Sequence, residues 1–314
     1  MRVYHAQGFQ KLTGRTQGSA FVDSYIAKDR SRLRLLLSYH YVKRIDIDSL
    51  VETKFNKQAP DMFLDSGAYS AATQNLTIDV KDYASFIKKF GHHFTAYSNL
   101  DVIGDPAATA ENQQALEDLG LTPIPVFHTG EPFEYLERYV ARYDYIALGG
   151  MVRYLSNWRA LMPWIVKCFK TGRKDTRFHG FGCTTWPVLT QIPWYSVDSS
   201  SWSACFRFGE INIFCERACR WWMAQLGDRN SCSKFAHIFR RRGFDWLKFA
   251  ERNASVYMMA AFAATNWIEA EKYLCKRHFS NGCQNGETRT HLVVTRDLNR
   301  AAAVHTFING GISP

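Results

Sequence analysis

Three aspartates stand in similar surroundings: Asp65 in LDSGAYS, Asp101 in SNLD and Asp198 in YSVDSSSW, each following a short apolar run. Carboxylates gathered in one concave place are costly, because burial and like-charge repulsion both disfavour the ionised forms. Such a cost points to use, in catalysis or in binding a ligand. Taken singly, Asp65 or Asp101 can equally be a helix cap or a turn acceptor. Asp105, followed by Pro106 and a helical run, has the character of a cap. Three further polar motifs end apolar runs: His128-Thr129-Gly130, Gly149-Gly150-Met151 and His179-Gly180-Phe181-Gly182. Gly67, Gly149 and Gly150 permit a close approach of backbone to a flat ligand, or serve tight turns. Tyr69 and Phe181 offer faces on which an aromatic base can stack.

These motifs need elements to hold them. From about residue 33 to 200, short apolar runs alternate with amphipathic stretches, the pattern of β-α units around a parallel sheet. Strands are expected at Leu33–Tyr39, at Met62–Leu64 running into DSGAYSA, and at Phe94–Leu100, Thr122–Phe127, Tyr145–Leu148, Thr176–Phe181 and Trp194–Val197, with Glu210–Phe214 as an eighth. Helices are expected in VKDYASFIKKF, PAATAENQQALEDLG, EPFEYLERYVARY and NWRALMPWIVKCFK, whose apolar residues recur at three- and four-residue spacing. Thr109 or Asp105 would cap the second of these and Gly120 would stop it. Seven or eight units in series predict an α/β fold, a (β/α)8 TIM-type barrel over residues 1–214. The carboxyl ends of its strands would converge on one mouth and bring the motifs together. No GxGxxG follows the first strand and no GxxxxGK[ST] occurs, which removes the usual support for dinucleotide or P-loop binding.

Residues 215–314 read as a basic, mostly helical C-terminal extension packed on the barrel, through CRWWMAQL and FAHIFRRRGFDWLKFAERNASVYMMAAFAATNWIEAEKYL. Trp and Met at helical spacing there are assigned to core. Most of the formal charge of +10 arises late: residues 204–314 hold 16 Lys and Arg against 9 Asp and Glu, whereas residues 1–203 hold 23 against 20. A basic surface suits a polyanion, since each neutralised phosphate releases counterions. At 46% apolar the chain can bury a substantial core, and disorder is not the expectation. There is no run of eighteen apolar residues and no signal-peptide segment at the amino terminus, so a cytoplasmic protein with no membrane partner is expected. The eight cysteines are scattered in a large chain, and reduced thiols are expected.

LDSGAYS at 64–70 resembles the (T/S)DSGG(F/Y)Q motif of the tRNA-guanine transglycosylases, (β/α)8-barrel enzymes that exchange guanine for a 7-deazaguanine base. SNLD at 98–101 is similar to that family's strand-end aspartate, and ALGGMV at 147–152 resembles its GG(L/F) segment. YSVDSSSW at 195–202 falls where the family's nucleophile strand lies. Order and approximate spacing agree across residues 30–205.

The resemblance implies that Asp198 is the nucleophile attacking the sugar C1′ and that Asp65 is the general acid/base. It implies a base site drawn from Ser66, Gly67, Tyr69, Asp101, His128, Gly149, Gly150, Met151 and Phe181. Asp101 would accept hydrogen bonds from guanine N1 and N2, the Gly149-Gly150 backbone would contribute to recognition, and Tyr69 would stack. His128 or Thr129 stands where the family has a glutamine. Displacing a base passes through an oxocarbenium-like state, which a carboxylate on the opposite face stabilises as in retaining glycosidases. No nucleotide or redox cofactor is needed.

This chain also departs from the family. No CxCxxC follows Asp198, so the structural zinc of the bacterial tRNA enzymes is not expected and no metal ligand is assigned. Cys205, Cys215, Cys219, Cys232, Cys275, Cys283, His278 and His291 remain. C-x3-C at 215–219 would put two thiols on one helix face, as buried hydrophobes or an improvised zinc site. A shorter chain with a different basic end is similar to the paralogues of phages and bacterial islands that place 7-deazaguanines in DNA. DNA is therefore the expected polymer, with a preQ0-like base as co-substrate, tRNA as the alternative, and the host cytoplasm as the setting if the chain is phage-encoded. Arg217, Arg220, Arg240, Arg241 and Arg242 would hold the backbone around an extruded base, or form an ordinary solvated face. A homodimer is in keeping with the family. Two other readings are a non-catalytic nucleic-acid-binding subunit, against which both Asp65 and Asp198 argue, and a hydrolase leaving an abasic site.

Overall fold

Runs of buried residues mark the strands: Leu35, Leu36 and Leu37, then Met62, Phe63 and Leu64, then Ile146, Ala147 and Leu148. Burial of consecutive residues is expected of parallel strands covered on both faces. The computed structural model describes residues 1–6, 33–55 and 60–279. In chain order the main elements are β1 (Arg2–Ala6), β2 (Arg34–Ser38), α1 (Ile47–Lys54), β3 (Asp61–Asp65), α2 (Ala68–Thr73), α3 (Val80–Phe90) and β4 (Ala96–Tyr97). Next come α4 (Pro106–Asp118), β5 (Val126–His128), α5 (Phe133–Arg142), β6 (Tyr145–Gly149), α6 (Trp158–Thr171), β7 (Arg177–Gly180), α7 (Trp186–Gln191) and β8 (Ser196–Ser199). A hairpin, β9 (Glu210–Cys215) and β10 (Arg220–Gln225), precedes short helical segments and the long helix α8 (Val256–His278). The fold is α/β with parallel strands.

The chain forms two compact units. One, here the Asp65 unit, comprises Val3–Tyr97 and Ser199–Tyr273; the other, the Asp198 unit, comprises Met1–Arg2, Ser98–Asp198 and the described residues from Leu274 on. In the Asp65 unit the parallel strands run in the order β4-β3-β2-β1, with Ser38 beside Asp65 in the register. A buried ionic network joins four of its elements, β1, β2, β3 and α8. Arg34 Nη1 donates to both carboxylate oxygens of Glu271 at 2.7 and 2.8 Å, and Arg34 Nε donates to Asp61 Oδ2 at 3.1 Å. The Val3 amide donates to Glu271 Oε2 at 2.9 Å and the Tyr4 hydroxyl to Asp61 Oδ1 at 2.9 Å. With its hydrogen bonds satisfied, a buried pair of this kind is tolerated, and losing one member leaves an uncompensated charge.

The rest of the Asp65 unit is built on the β9–β10 hairpin and a core that includes Ile213, Phe239, Phe249 and Phe262, with the Phe239 and Phe262 rings stacked at 4.3 Å. This part corrects two expectations. Glu210–Cys215 is a strand, but it pairs antiparallel with β10 and is not a further parallel strand. CRWWMAQL, expected to be helical, supplies β10, because its aromatic residues suit a pleated, half-buried ribbon. Cys219 accordingly lies in the turn of the hairpin with φ +52°, and the Cys215–Cys219 spacing does not fall on a helix. The strand Arg2–Ala6 was not anticipated, since a five-residue run without flanking turn residues carries little signal.

In the Asp198 unit the parallel order is β5-β6-β7-β8. Helix α4 begins as expected: Pro106 occupies the first turn and Asp105 Oδ1 accepts from the Ala108 amide at 2.9 Å. It ends at Gly120, whose φ of +81° lets the Leu121 amide reach back to the Leu116 carbonyl at 3.1 Å. Among the described residues no helix is long and apolar enough to cross a membrane. Six described cysteines (168, 183, 205, 215, 219 and 232) are free thiols. Cys283 and His291 lie outside the described residues.

Candidate active site

The carboxyl ends of β5, β6, β7 and β8 lie along one edge of their parallel sheet, and this edge carries most of the polar motifs. His128 ends β5 beside Gly149 of β6, Leu148 lies beside Gly180 of β7, and His179 lies beside Ser196 of β8. Asp198 is two residues beyond Ser196 and so points to the same face of the strand. Asp198 is 6% exposed. Oδ1 accepts from the Gly182 amide at 3.0 Å and lies 3.3 Å from His179 Nε2. Among the described residues no donor reaches the second oxygen, Oδ2.

His179 is fully buried and continues the chain of contacts inward. Its Nδ1 is 2.7 Å from Ser196 Oγ, which is 2.6 Å from the Tyr145 hydroxyl. These contacts are compatible with Tyr145 donating to Ser196, Ser196 to Nδ1, and Nε2–H to Asp198. Phe181 meets the His179 ring edge-on at 4.7 Å. The Cys183 thiol is pushed up to about 12 by burial and by the negative charge of Asp198. It therefore stays protonated and serves as apolar filling. Gly182 has φ +64°, and a Cβ there would fall 2.6 Å from Val152 Cγ2, so glycine is what allows its amide to face Asp198.

A second cluster surrounds Asp101. His128 Nε2 is 3.1 Å from Asp101 Oδ2, and His128 Nδ1 is 3.0 Å from Glu131 Oε1. Glu131 also accepts the His128 amide at 2.9 Å. Burial works against a charged imidazole here, but hydrogen bonds and attraction from the two carboxylates outweigh it and raise His128 to about 9. His128 is thus an imidazolium at neutral pH with both ring nitrogens engaged inside the protein. Its contact with Asp101 fixes the position of that carboxylate. The ring lies against Gly149, where a Cβ would come within 2.5 Å of His128 Cδ2. Gly150 has φ +74° and leaves room for Thr129, whose hydroxyl donates to the Gly150 carbonyl at 3.1 Å. Met151 is fully buried under this edge.

The Asp65 unit holds the remaining candidates. Asp65 ends β3 and accepts the Gly67 amide on Oδ2 at 3.0 Å, closing a tight turn in the manner open to aspartate. Ser66 is buried, with Oγ accepting the Ala68 amide at 3.2 Å. Gly67 has φ +77° and a Cβ there would meet Ser38 Oγ at 2.4 Å and His40 Cβ at 2.6 Å, so only glycine fits. Tyr69 stands on α2 with 66% of its surface exposed. Arg217, Arg220 and Arg240 are exposed, with the Arg220 guanidinium 4.0 Å from the centre of the Trp222 ring. Arg241 faces Glu216 at 4.0 Å. Arg242 is different. Its guanidinium is turned inward to the Phe214 carbonyl at 2.8 Å and to Asn266 Oδ1, which corrects its assignment to a phosphate-facing surface. The cause is the carbonyl of Phe214, a buried residue of a hairpin strand, which the guanidinium satisfies.

The sequence reading gave no role to His179 or Glu131. The first stands in the HGFG motif, where its neighbours drew the attention. The second precedes Pro132 and has the look of a helix-opening acid. No protein-family model matches this chain, and no curated protein matches its sequence.

Proposed function

We propose that this protein is a pentosyltransferase that exchanges guanine in DNA for a 7-deazaguanine base of the preQ0 type, through a covalent glycosyl-enzyme, on a (β/α)8 barrel with a helical C-terminal part. The observation that carries the reading is the setting of Asp198, at a strand end, with one oxygen held by the Gly182 amide and His179 and the other without a donor. A carboxylate fixed on one oxygen is oriented for attack through the other. The Asp101–His128–Glu131 cluster on the same sheet edge supports a base site, because the contact from His128 orients a carboxylate that can accept the N1 and N2 hydrogens of guanine.

In this reading an Asp198 oxygen forms a bond to C1′ as the bond from C1′ to guanine N9 breaks, and guanine leaves with a proton supplied by the general acid. The incoming 7-deazaguanine then loses a proton to the conjugate base, bonds to C1′ through N9, and releases the Asp198 carboxylate. Asp65 is assigned the acid/base role on the resemblance of LDSGAYS. Exposed Arg217, Arg220 and Arg240 are assigned to the DNA backbone.

The test is base exchange with labelled guanine in a DNA duplex and in tRNA, each with and without preQ0. Catalytic release from DNA, beyond the one guanine per chain that accompanies the glycosyl-enzyme, that requires the incoming base supports the proposal. Such release from tRNA alone moves the substrate to RNA, multiple-turnover release without an incoming base indicates a hydrolase, and no release from either polymer overturns the enzymatic reading.

A further inference from the structure

Within the Asp65 unit, away from every residue assigned above, two imidazoles face one carboxylate oxygen. His93 Nε2 lies 2.6 Å and His92 Nε2 3.3 Å from Asp48 Oδ1, and the three potential ligand atoms are all within 4.8 Å of one another. We propose that Asp48, His92 and His93 bind a divalent first-row transition ion of the zinc class.

The donor set is the first ground. Two imidazole nitrogens and a carboxylate oxygen suit Zn²⁺, Co²⁺ or Ni²⁺ and are a poor match to Mg²⁺ or Ca²⁺, which take oxygen ligands. Spacing is the second. An ion about 2.0–2.2 Å from each of three ligands sets those atoms roughly 3 Å apart. The 3.3 Å contact already meets this, and the 2.6 Å contact is within about half an ångström of it.

The two ring centroids sit 4.0 Å apart, so both imidazoles stand on the same side of the one carboxylate.

The backbone holds the ligands in place independently of any ion. Asp48 is in the first turn of α1, which Asp46 caps through the Ser49 amide at 2.9 Å. His92 and His93 occupy the tight Gly91–His93 turn that directly follows α3. The adjacent cation Lys89 is paired with Asp46 at 3.8 Å. Asp48 and His92 have side chains more than half exposed, so an ion here keeps an open position toward solvent. Its role is to clip α1 to the end of α3 across 45 residues of chain.

The experiment uses the untagged full chain, stripped with a chelator and titrated with Co²⁺ and then Zn²⁺, beside His92→Ala and Asp48→Asn. We expect one Co²⁺ per chain, displaced by Zn²⁺, with no thiolate-to-cobalt absorption, and a weakening of about tenfold or more in each variant. Zn²⁺ should raise the melting temperature of the parent protein and leave that of both variants unchanged. Circular dichroism without metal should be identical in all three. Absence of binding, equal affinity in the variants, or a thiolate band pointing to cysteine ligands would each overturn the proposal.

Discussion

His179 Nε2 lies 3.3 Å from Asp198 Oδ1 while its other nitrogen is held at 2.7 Å by Ser196, so a fully buried ring links a core hydroxyl to a strand-end carboxylate. Removing the ring takes away a hydrogen bond to a charged group, of about 1.5–3 kcal/mol. If Asp198 is the nucleophile, His179→Ala should lower kcat for base exchange about 10- to 100-fold with little change in KM. The acid limb of the pH–kcat profile should move as well. A variant that loses only stability, with kcat and the profile intact, would remove His179 from the positioning of Asp198.

Stability should peak near neutral pH and fall on both sides, for two histidine-specific reasons. His128 is raised to about 9, so its contribution is complete below about 6.5 and is lost as pH rises through about 9. His5 is lowered to about 4, chiefly by burial, so its contribution is complete above about 6.5 and is lost as pH falls toward 4. Each is on the order of 3 kcal/mol. Denaturant unfolding across pH 5–10 should show both slopes, and His128→Asn should flatten only the alkaline one.

Gly149→Ala should damage base recognition without touching a base-contacting side chain. The new methyl would lie 2.5 Å from His128 Cδ2 and push the ring away from Asp101. We expect a stability loss of about 1–3 kcal/mol and a KM for the incoming base that rises more than kcat falls. An unchanged KM would separate Asp101 from base binding.

Glu271→Ala should be among the most destabilising single changes in the Asp65 unit. It removes the acceptor of the Val3 amide and of the Arg34 Nη1 hydrogen bonds while Arg34 keeps Asp61, at a cost of about 1.5–3 kcal/mol. Urea unfolding reports this directly, and a loss below about 1 kcal/mol would mean that water reaches the network.

The polar strand ends were legible in the sequence because parallel strands put their loops on one edge, and Asp101, His128, Gly149 and Asp198 all came from reading where apolar runs stop. Helix limits set by local chemistry were equally readable, as Asp105 and Gly120 show. What escaped depends on side-chain partners that strand and helix periodicity do not reveal, some distant in sequence and one, His128 for Glu131, only three residues away. His179 and Glu131 have meaning only through Asp198 and His128, and Arg242 looked like surface until the Phe214 carbonyl was found beside it. The hairpin around Cys215 was missed because its aromatic residues also fit a helical period.

The most direct measurement is to trap the covalent intermediate. The protein is incubated with guanine-containing DNA in the absence of incoming base, denatured, and its DNA-linked fraction mapped by peptide mass. The account predicts a sugar-linked adduct on the peptide carrying Asp198, its absence in Asp198→Asn, and an exchange rate lower by at least about 10³-fold in that variant. An adduct on another residue, or exchange that survives Asp198→Asn, would contradict it.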